Sequence, residues 1–518
     1  MTGKPAYYIT TPIYYVNDVP HIGHAYTTLA CDVLARFKRL DGHPVLFLTG
    51  TDEHGQKVEK SARAAGVDPL SFCDRVSDRF RELAVAMNFS NDDFIRTTEP
   101  RHIRACQALW QRLEDAGDIY LDTYAGWYSV RDEAFYGEGE LTDGPDGTRL
   151  APTGAPVEWV EEKSYFFRLS AWGDRLLEFY DQVPETVLPK SRRNEVASFV
   201  RSGLRDLSIS RTSFKWGVPV PGNDAHIMYV WIDALTNYLT AAGYPDTDGE
   251  TFRTFWPADV HMVGKDILRF HAVYWPAFLM AAGIEPARRV FAHGWWTNEG
   301  QKISKSVGNV IDPFSIIEQY GLDQVRYFLM REVPFGQDGD FSHTAVVHRV
   351  NGDLANDLGN LAQRSLSMIA KNCEGRVPTP GDFTPEDAAI LTAAGEALLD
   401  RVRGHMDEQE IHTALEAIWR VVSDCNGYFA GQEPWALKKS DPARMGTVLY
   451  VTAEVVRNVA ILVQPVMPDS GGRLLDFLGV SADARDLAHI GANGALVAGA
   501  ALPKPEGVFP RIIEKEAV

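Results

Sequence analysis

Val45-Leu46-Phe47-Leu48-Thr49 is a short, unbroken apolar run closed by Gly50. A strand with one wet face alternates apolar and polar residues. A run apolar at every position belongs to a strand covered on both faces, which is the condition of a parallel sheet sandwiched between helices. Upstream, Tyr7-Tyr8-Ile9-Thr10-Thr11 is rich in β-formers, and Ala25, Leu29, Val33, Phe37 and Leu40 then recur at helical spacing. Strand, helix and strand together predict a βαβ unit. Two further candidate strands, Asp259-Val260-His261-Met262-Val263 and Arg289-Val290-Phe291-Ala292-His293, stand some two hundred residues downstream, and each runs into a glycine. The sheet is therefore expected to be completed only after an interruption.

Between about 117 and 220 the text turns aromatic and Gly/Pro-rich, with turn signals every few residues, as expected of an inserted β-rich domain. From about 346 apolar residues repeat at helical spacing (Val350, Leu354, Leu358, Leu361, then Leu415, Ile418 and Val421), predicting a closing helix bundle. Residues 491 to 518 lack periodicity and read as a tail packed on the surface or partly mobile. A chain of 518 residues exceeds one hydrophobic core, so two to four domains are expected. The start carries no cationic and apolar leader, and no long uncharged apolar span is evident, which argues against export and membrane insertion. Five scattered cysteines, Cys31, Cys73, Cys106, Cys373 and Cys425, do not form a disulfide framework and suit a reducing cytoplasm. No Cys-x-x-Cys and no His-Glu-x-x-His occurs, so no metal site is predicted. The net charge of −19 speaks against a nucleic-acid partner only weakly, because a local basic groove can bind RNA on an acidic body.

Two motifs carry chemistry. Pro20-His21-Ile22-Gly23-His24 lies where the first strand passes into the first helix. Imidazoles three apart at a helix start can both face a ligand, Gly23 permits close approach of a nucleotide, and a helix N-terminus favours phosphate. The alternative is a pair of ordinary capping or surface histidines. Gln301-Lys302-Ile303-Ser304-Lys305-Ser306-Val307-Gly308-Asn309 follows the last strand. Two lysines on a Ser/Gly-rich loop can place ammonium groups on a triphosphate and stabilise charge without covalent catalysis. Alone, such a loop is usually only solvated.

The pair, His-Ile-Gly-His after the first strand and Lys-Ile-Ser-Lys-Ser after the last, resembles the paired signature of class I aminoacyl-tRNA synthetases. The flanks Thr10 to Asn17, Gly50 to Gly55, Val230 to Ala234, Gly264 to Ile267 and Phe270-His271 with Trp275-Pro276 narrow the resemblance to methionyl-tRNA synthetases over nearly the whole chain. It implies an α/β fold: a Rossmann-type parallel-sheet catalytic domain split by a β-rich insertion, followed by an α-helical bundle anticodon-binding domain. The expected segments are 1–117 and 221–290 for the two catalytic halves, 118–220 for the insertion, 291–345 for a stem-contact region with the lysine loop, 346–490 for the anticodon-binding domain and 491–518 for the tail. The implied reaction is attack of the methionine carboxylate on the α-phosphate of ATP, then transfer of the acyl group to a ribose hydroxyl of initiator or elongator tRNA(Met). By resemblance, the catalytic residues are His21, His24, Lys302 and Lys305. ATP would be held by these with Gly23, Lys265, Asp266 and Gly294, and Mg²⁺ would accompany it. Arg211 is read either as a neighbour of the ATP site or as a salt-bridged surface arginine. The methionine pocket would comprise Ile13, Tyr15, Trp231, Ala234, Leu235, Tyr238, Ile267 and His271, with Asp52 meeting the ammonium group and Trp275 behind. Each aromatic taken singly reads more readily as core packing, and it is their joint placement near the sheet ends that favours a pocket.

The insertion is too small for a hydrolytic editing domain of the kind that near-isosteric valine, isoleucine and leucine require. Many relatives hold zinc there on cysteine pairs; residues 118 to 220 contain no cysteine, so a zinc-free variant is expected. Asn360 and Arg364, four apart on one helix face, and Trp435, a surface on which an unpaired base can stack, match the family's anticodon-reading positions. A monomer is expected, because nothing from 491 onward resembles an appended dimerisation fold. The competing readings are a tRNA-binding paralogue without activity and a synthetase for leucine, valine or cysteine.

Overall fold

The structure is a computed structural model that describes residues 3–16, 19–132, 134–303 and 308–513. At its centre lies a seven-stranded parallel sheet. β1 (Tyr7–Thr10) and β2 (Tyr14–Tyr15) run along one edge of β3 (Val45–Asp52), and β4 (Asp93–Arg96) runs along the other. On its far side β1 pairs with Val260–Gly264, which pairs with Val290–His293, which pairs with Val187–Leu188. Both faces are covered, as the apolar run required: Tyr7, Ile9 and Phe47 enter one core while Tyr8 and Leu48 enter the other. Gly50 lies where a Cβ would meet the Ile95 carbonyl oxygen at 2.0 Å, so only glycine lets β3 and β4 pair at this point.

Helix α1 (Ile22–Leu40) connects β1 to β3, with Lys38 and Arg39 in its last turn complementing the helix dipole. The insertion is a two-strand antiparallel ribbon, β5 (Ile119–Ser129) with Pro156–Phe167, extended by short flanking strands. The span 118–220 is not β-rich throughout. Helices Gly173–Gln182 and Lys190–Arg201 occupy its second half, and Val187–Leu188 between them already rejoins the parallel sheet. The turn signals that suggested strands are strongest before residue 155, which is where the small strands cluster.

The closing region is helical from His343, and its core is continuous with one face of the sheet, since α1 residues such as Leu29 and Val33 belong to the same apolar cluster as Ile418 and Val459. Arg326, fully buried, ties the two parts. Its guanidinium donates to Asp32 on α1 (2.7 Å), to the Met87 carbonyl (2.9 Å) and to the carbonyls of Pro465 (2.9 Å) and Val466 (2.8 Å) at the end of a bundle helix. That helix, Pro442–Val463, is an apolar span the sequence reading did not single out. It is long and apolar enough to cross a membrane, yet 94% of its apolar window is buried, and it carries a buried Glu454–Arg457 pair, as a core helix does. The tail is packed as far as Ile512: Val377 and Leu502 donate across to Ala500 and Gly375, Val508 and Phe509 are buried, and the Ile512 N–H donates to Asn351 Oδ1 at 2.9 Å.

Candidate active site

Strand order reverses at β1, with β3 on one side and Val260–Gly264 on the other, and ligands of open parallel sheets bind outside the carboxyl ends of the strands at such a point. A cavity of about 440 Å³ opens there. It gathers Ile13, Tyr15, His21, Gly23, His24, Asp52, Trp231, Ala234, Leu235, Tyr238, Asp266, Ile267 and His271, residues spread over more than 250 positions of the chain.

His21 and His24 turn out to cap the helix and to line the cavity at once. His21 is the N-cap of α1, where its Nδ1 accepts from the Gly23 N–H at 3.1 Å, and His24 Nδ1 accepts from the His21 N–H at 3.1 Å. The two rings lie 3.9 Å apart between centroids. Because each Nδ1 accepts from backbone, the proton of each neutral ring sits on Nε2, available to an acceptor in the cavity. Burial lowers both pKa values, and for His24 the neighbouring His21 lowers it further, so both rings are neutral donors at pH 7. Gly23 has a role beyond admitting a nucleotide. A Cβ there would sit 2.9 Å from Cε1 of His21, so glycine is what allows that ring to fold over the helix start.

The apolar side of the cavity comes from helix Val230–Ala241 and from the turn around Phe270. Trp231 stacks on Phe270 with centroids 3.6 Å apart and planes 6° from parallel. The Tyr238 hydroxyl donates to His271 Nε2 (2.7 Å), while His271 Nδ1–H donates to the Ile267 carbonyl (3.0 Å). Burial holds His271 down to about 4 and pushes Tyr238 up, so the pair stays neutral. Asp52, buried at the carboxyl end of β3 beside Tyr15, supplies a carboxylate.

Four predicted residues lie outside the cavity lining. Trp275 is buried behind it, with its Nε1–H donating to His261 Nε2 (3.3 Å) and its ring against Tyr238. Lys265 bridges Asp338 at 2.7 Å, with its ammonium over the ring of the lining residue Trp295. Gly294 supports the wall: its Cβ position is 2.2 Å from the Gln337 carbonyl oxygen, and its neighbours His293 and Trp295 do line the cavity. Arg211 does not line the cavity, and it is not a surface arginine either. It is 2% exposed, its guanidinium donates to Ser208 Oγ and the Ser210 carbonyl, and Tyr229 and Phe135 cover its faces.

The side chain of Lys302 and all of Lys305 lie outside the described residues, but both flanks of their loop are placed. Gln301–Lys302 pairs with Trp296–Asn298, directly after the wall residue Trp295, and Asn298 Nδ2 donates to the Asn309 carbonyl at 2.9 Å. The Ile22 N–H, in the first turn of α1, donates to the Ile311 carbonyl at 3.2 Å. The segment that follows the lysine motif is thus joined to the first turn of the helix that bears the histidine motif, some 280 residues away in sequence.

Sequence reasoning missed several lining residues: Thr27 and His293, hydrogen-bonded at 2.7 Å, and Lys57, Arg131 and Asp132. It also missed the support beneath. Asp233, fully buried, accepts from His54 Nδ1–H (2.7 Å) and His102 Nε2–H (2.8 Å), with Cys106 Sγ 3.1 Å from the latter nitrogen. This bridge fastens helix Val230–Ala241 to the Asp52-Glu53-His54 turn. Glu53 beside it is held by Arg96 Nε at 2.6 Å. At the far end of the chain, Asn360 and Arg364 share an exposed face of helix Asn360–Asn372, and the Arg364 guanidinium lies 5.5 Å from the centroid of the exposed Trp435 ring.

This parallel-sheet cavity, with imidazoles at a helix start and the segment after the lysine motif joined to the same helix, is the arrangement of a class I aminoacyl-tRNA synthetase, and the family model described as "tRNA synthetases class I (M)" matches residues 7–366. A second, described as "Anticodon binding domain of methionyl tRNA ligase", matches residues 377–518. The chain belongs to the methionyl-tRNA synthetase family. It is 63% identical over 512 residues to the methionine–tRNA ligase of Mesorhizobium japonicum, covering 99% of each chain. It is 61% identical over 513 residues to that of Mycobacterium bovis, covering 98% of each. Among solved structures, the Mycobacterium tuberculosis methionyl-tRNA synthetase in complex with methionyl-adenylate superimposes with a TM-score of 0.96 at 60% identity, covering 98% of this chain and 100% of that one.

Proposed function

We propose that the central cavity is where this chain, a methionine–tRNA ligase, activates methionine with ATP as methionyl-adenylate before passing the acyl group to tRNA(Met). The observation that carries the reading is the convergence of His21, His24, Asp52, Trp231, Tyr238 and His271 on one cavity of about 440 Å³ at the strand ends.

Asp52 takes the substrate ammonium group, and the flexible, polarisable thioether packs against Trp231, Tyr238, Ile13 and Ile267. A neutral His271, engaged at both nitrogens, leaves the side-chain end of the pocket uncharged. With the amino acid fixed at both ends, its carboxylate is aimed at the α-phosphate, and the in-line displacement gains mainly from positioning. The Nε2–H groups of His21 and His24 donate to phosphate oxygens at the positive end of α1, and the ammonium groups of Lys302 and Lys305 neutralise charge building on the leaving pyrophosphate. Mg²⁺ would be held by the carboxylate of Asp266, which lines the cavity near enough to His21 to act on its charge, and would supply positive charge to the phosphates. We further read the chain as a zinc-free cytoplasmic monomer. In the insertion, the aromatic pairs Trp127–Trp159 and Tyr128–Phe135 hold together a ribbon whose sequence offers no thiol. Asn360, Arg364 and Trp435 form the surface on which we place the anticodon.

Pyrophosphate exchange assayed across the twenty amino acids tests the reading. Exchange with methionine alone supports it; exchange with leucine, valine or cysteine, or with none, overturns it. Lys305→Ala should slow adenylation far more than it weakens methionine binding, and equal losses in both would refute the role given to Lys305.

A further inference from the structure

Tyr238 lines the cavity, whereas His261, on which its ring lies, does not. The polar groups of Tyr238 are already committed: its hydroxyl donates to His271 Nε2 at 2.7 Å, and its carbonyl accepts from the Tyr8 hydroxyl at 2.8 Å. What fixes the position of the ring itself is the stack with His261, with centroids 4.1 Å apart and planes 29° from parallel. His261 is fully buried in strand Val260–Gly264, in register with Thr10 on one neighbouring strand and with Val290 on the next. A position in the middle of a parallel sheet is a stiff mount, so the imidazole starts from a fixed origin.

Its orientation is fixed as well. The indole N–H of Trp275 can only donate, so His261 Nε2 accepts it at 3.3 Å. The proton of the neutral ring therefore sits on Nδ1, where it donates to Thr10 Oγ1 at 2.8 Å. Burial, reinforced by nearby His271, lowers the pKa of His261 and keeps the ring uncharged. With both nitrogens engaged, turning or sliding the imidazole leaves a buried donor or acceptor unmatched. The ring is thus a rigid plate in the space into which Tyr238 would otherwise retreat, and the Trp275 ring, 6.1 Å from that of Tyr238, closes the neighbouring side.

Resting on the functional reading above, we propose that His261 is a positioning residue for substrate choice: by holding Tyr238 in place it sets the depth of the pocket that receives the amino-acid side chain. One methylene in an apolar pocket is worth about 10- to 200-fold in discrimination, and only a wall that does not yield can impose it. The test is pyrophosphate exchange with methionine and with its S-ethyl homologue, one methylene longer. His261→Asn removes the plate, so KM for methionine should rise about tenfold and the kcat/KM preference for methionine over the homologue should fall at least about fivefold, with kcat and KM for ATP within about twofold. His261→Phe keeps a flat ring behind Tyr238 and should retain most of that preference. Thr10→Val removes only the partner of Nδ1 and lets the imidazole tilt, so its preference should fall at least about twofold. An unchanged preference in folded His261→Asn overturns the proposal, as does an equal loss in the Asn and Phe variants. A fall in kcat by one factor for both amino acids, with the preference intact, also overturns it, because that assigns His261 to general stability. Should neither His261 variant fold, an unchanged preference in Thr10→Val is the overturning result. Failure of the parent protein to exchange with methionine would instead refute the functional reading itself.

Discussion

Asp233→Asn is the substitution that separates support from chemistry, since Asp233 does not line the central cavity and yet fixes two of its walls. Its carboxylate is fully buried and accepts from His54 Nδ1–H at 2.7 Å and His102 Nε2–H at 2.8 Å. Burial works against ionisation, but the attraction of His54 and the hydrogen bonds from both rings outweigh it and hold the carboxyl at about 2, below the ordinary 3.8. By proton linkage that depression stabilises the folded state by about 2.5 kcal/mol at neutral pH. An asparagine amide can accept from one imidazole but presents N–H to the other, losing a charge-assisted bond and burying an unmatched donor. The expected loss of stability is about 2–4 kcal/mol at pH 7, read from the shift in denaturant midpoint. The sign with pH is fixed by the depressed value. The contribution is complete above about pH 4 and disappears as pH falls through 2, so the variant's deficit should shrink over that interval. Release of His54 also frees the turn carrying Asp52, so KM for methionine should rise about tenfold while KM for ATP stays within about twofold. A midpoint within about 0.5 kcal/mol of the parent, with methionine KM unmoved, would refute the supporting role.

Three further outcomes follow from the geometry. His271 is held at about 4 by burial, so stability present above the unfolded value of 6.5 is lost as pH falls from there through 4; His271→Asn should remove about 3 kcal/mol of that acid loss, visible in denaturant midpoints measured between pH 7 and pH 4. Gly294→Ala would put a methyl group 2.2 Å from the Gln337 carbonyl oxygen and should cost about 1–3 kcal/mol in thermal or denaturant unfolding, with a loss of exchange activity from displaced His293 and Trp295. Trp435→Ala removes a stacking surface beside Arg364, so kcat/KM for tRNA should fall by about 10- to 100-fold with exchange unchanged, the equivalent of about 1–3 kcal/mol per stacked base.

What could be read from the chain in advance was whatever is written locally. Val45 to Thr49 announces a two-sided strand because burial on both faces leaves no polar position, and β3 fulfils it from Val45 to Asp52. The start of α1 is legible because a cap needs its acceptor within a few residues, and His21 and His24 satisfy that need themselves. The aromatic wall was reachable only through resemblance, since Trp231 and Tyr238 taken alone look like core. Trp275 was expected behind that wall by the same resemblance, and its buried indole lies there, against Tyr238 and donating to His261. Arg211 is illegible for another reason, as its partners are aromatic faces and backbone oxygens that no spacing rule announces.

The least legible part is the support layer, because its partners come from remote segments and have no period. Asp233 meets His54 across 179 positions and His102 across 131, and Arg326 meets Asp32 across 294. These two buried ionic bridges act on different walls. Asp233 joins the cavity-lining helix Val230–Ala241 to the end of β3, whereas Arg326 joins the middle of α1, whose first turn bears both imidazoles, to the end of helix Pro442–Val463 in the bundle. A buried ion pair is a poor source of net stability, because desolvation cancels much of its attraction, but breaking one is costly and its directionality fixes a single arrangement. Apolar packing could hold the same elements together while allowing α1 to slide by fractions of an ångström. The four guanidinium bonds of Arg326 forbid that sliding, and the start of α1, where we propose that the phosphates bind, is where such a displacement would reduce the rate most.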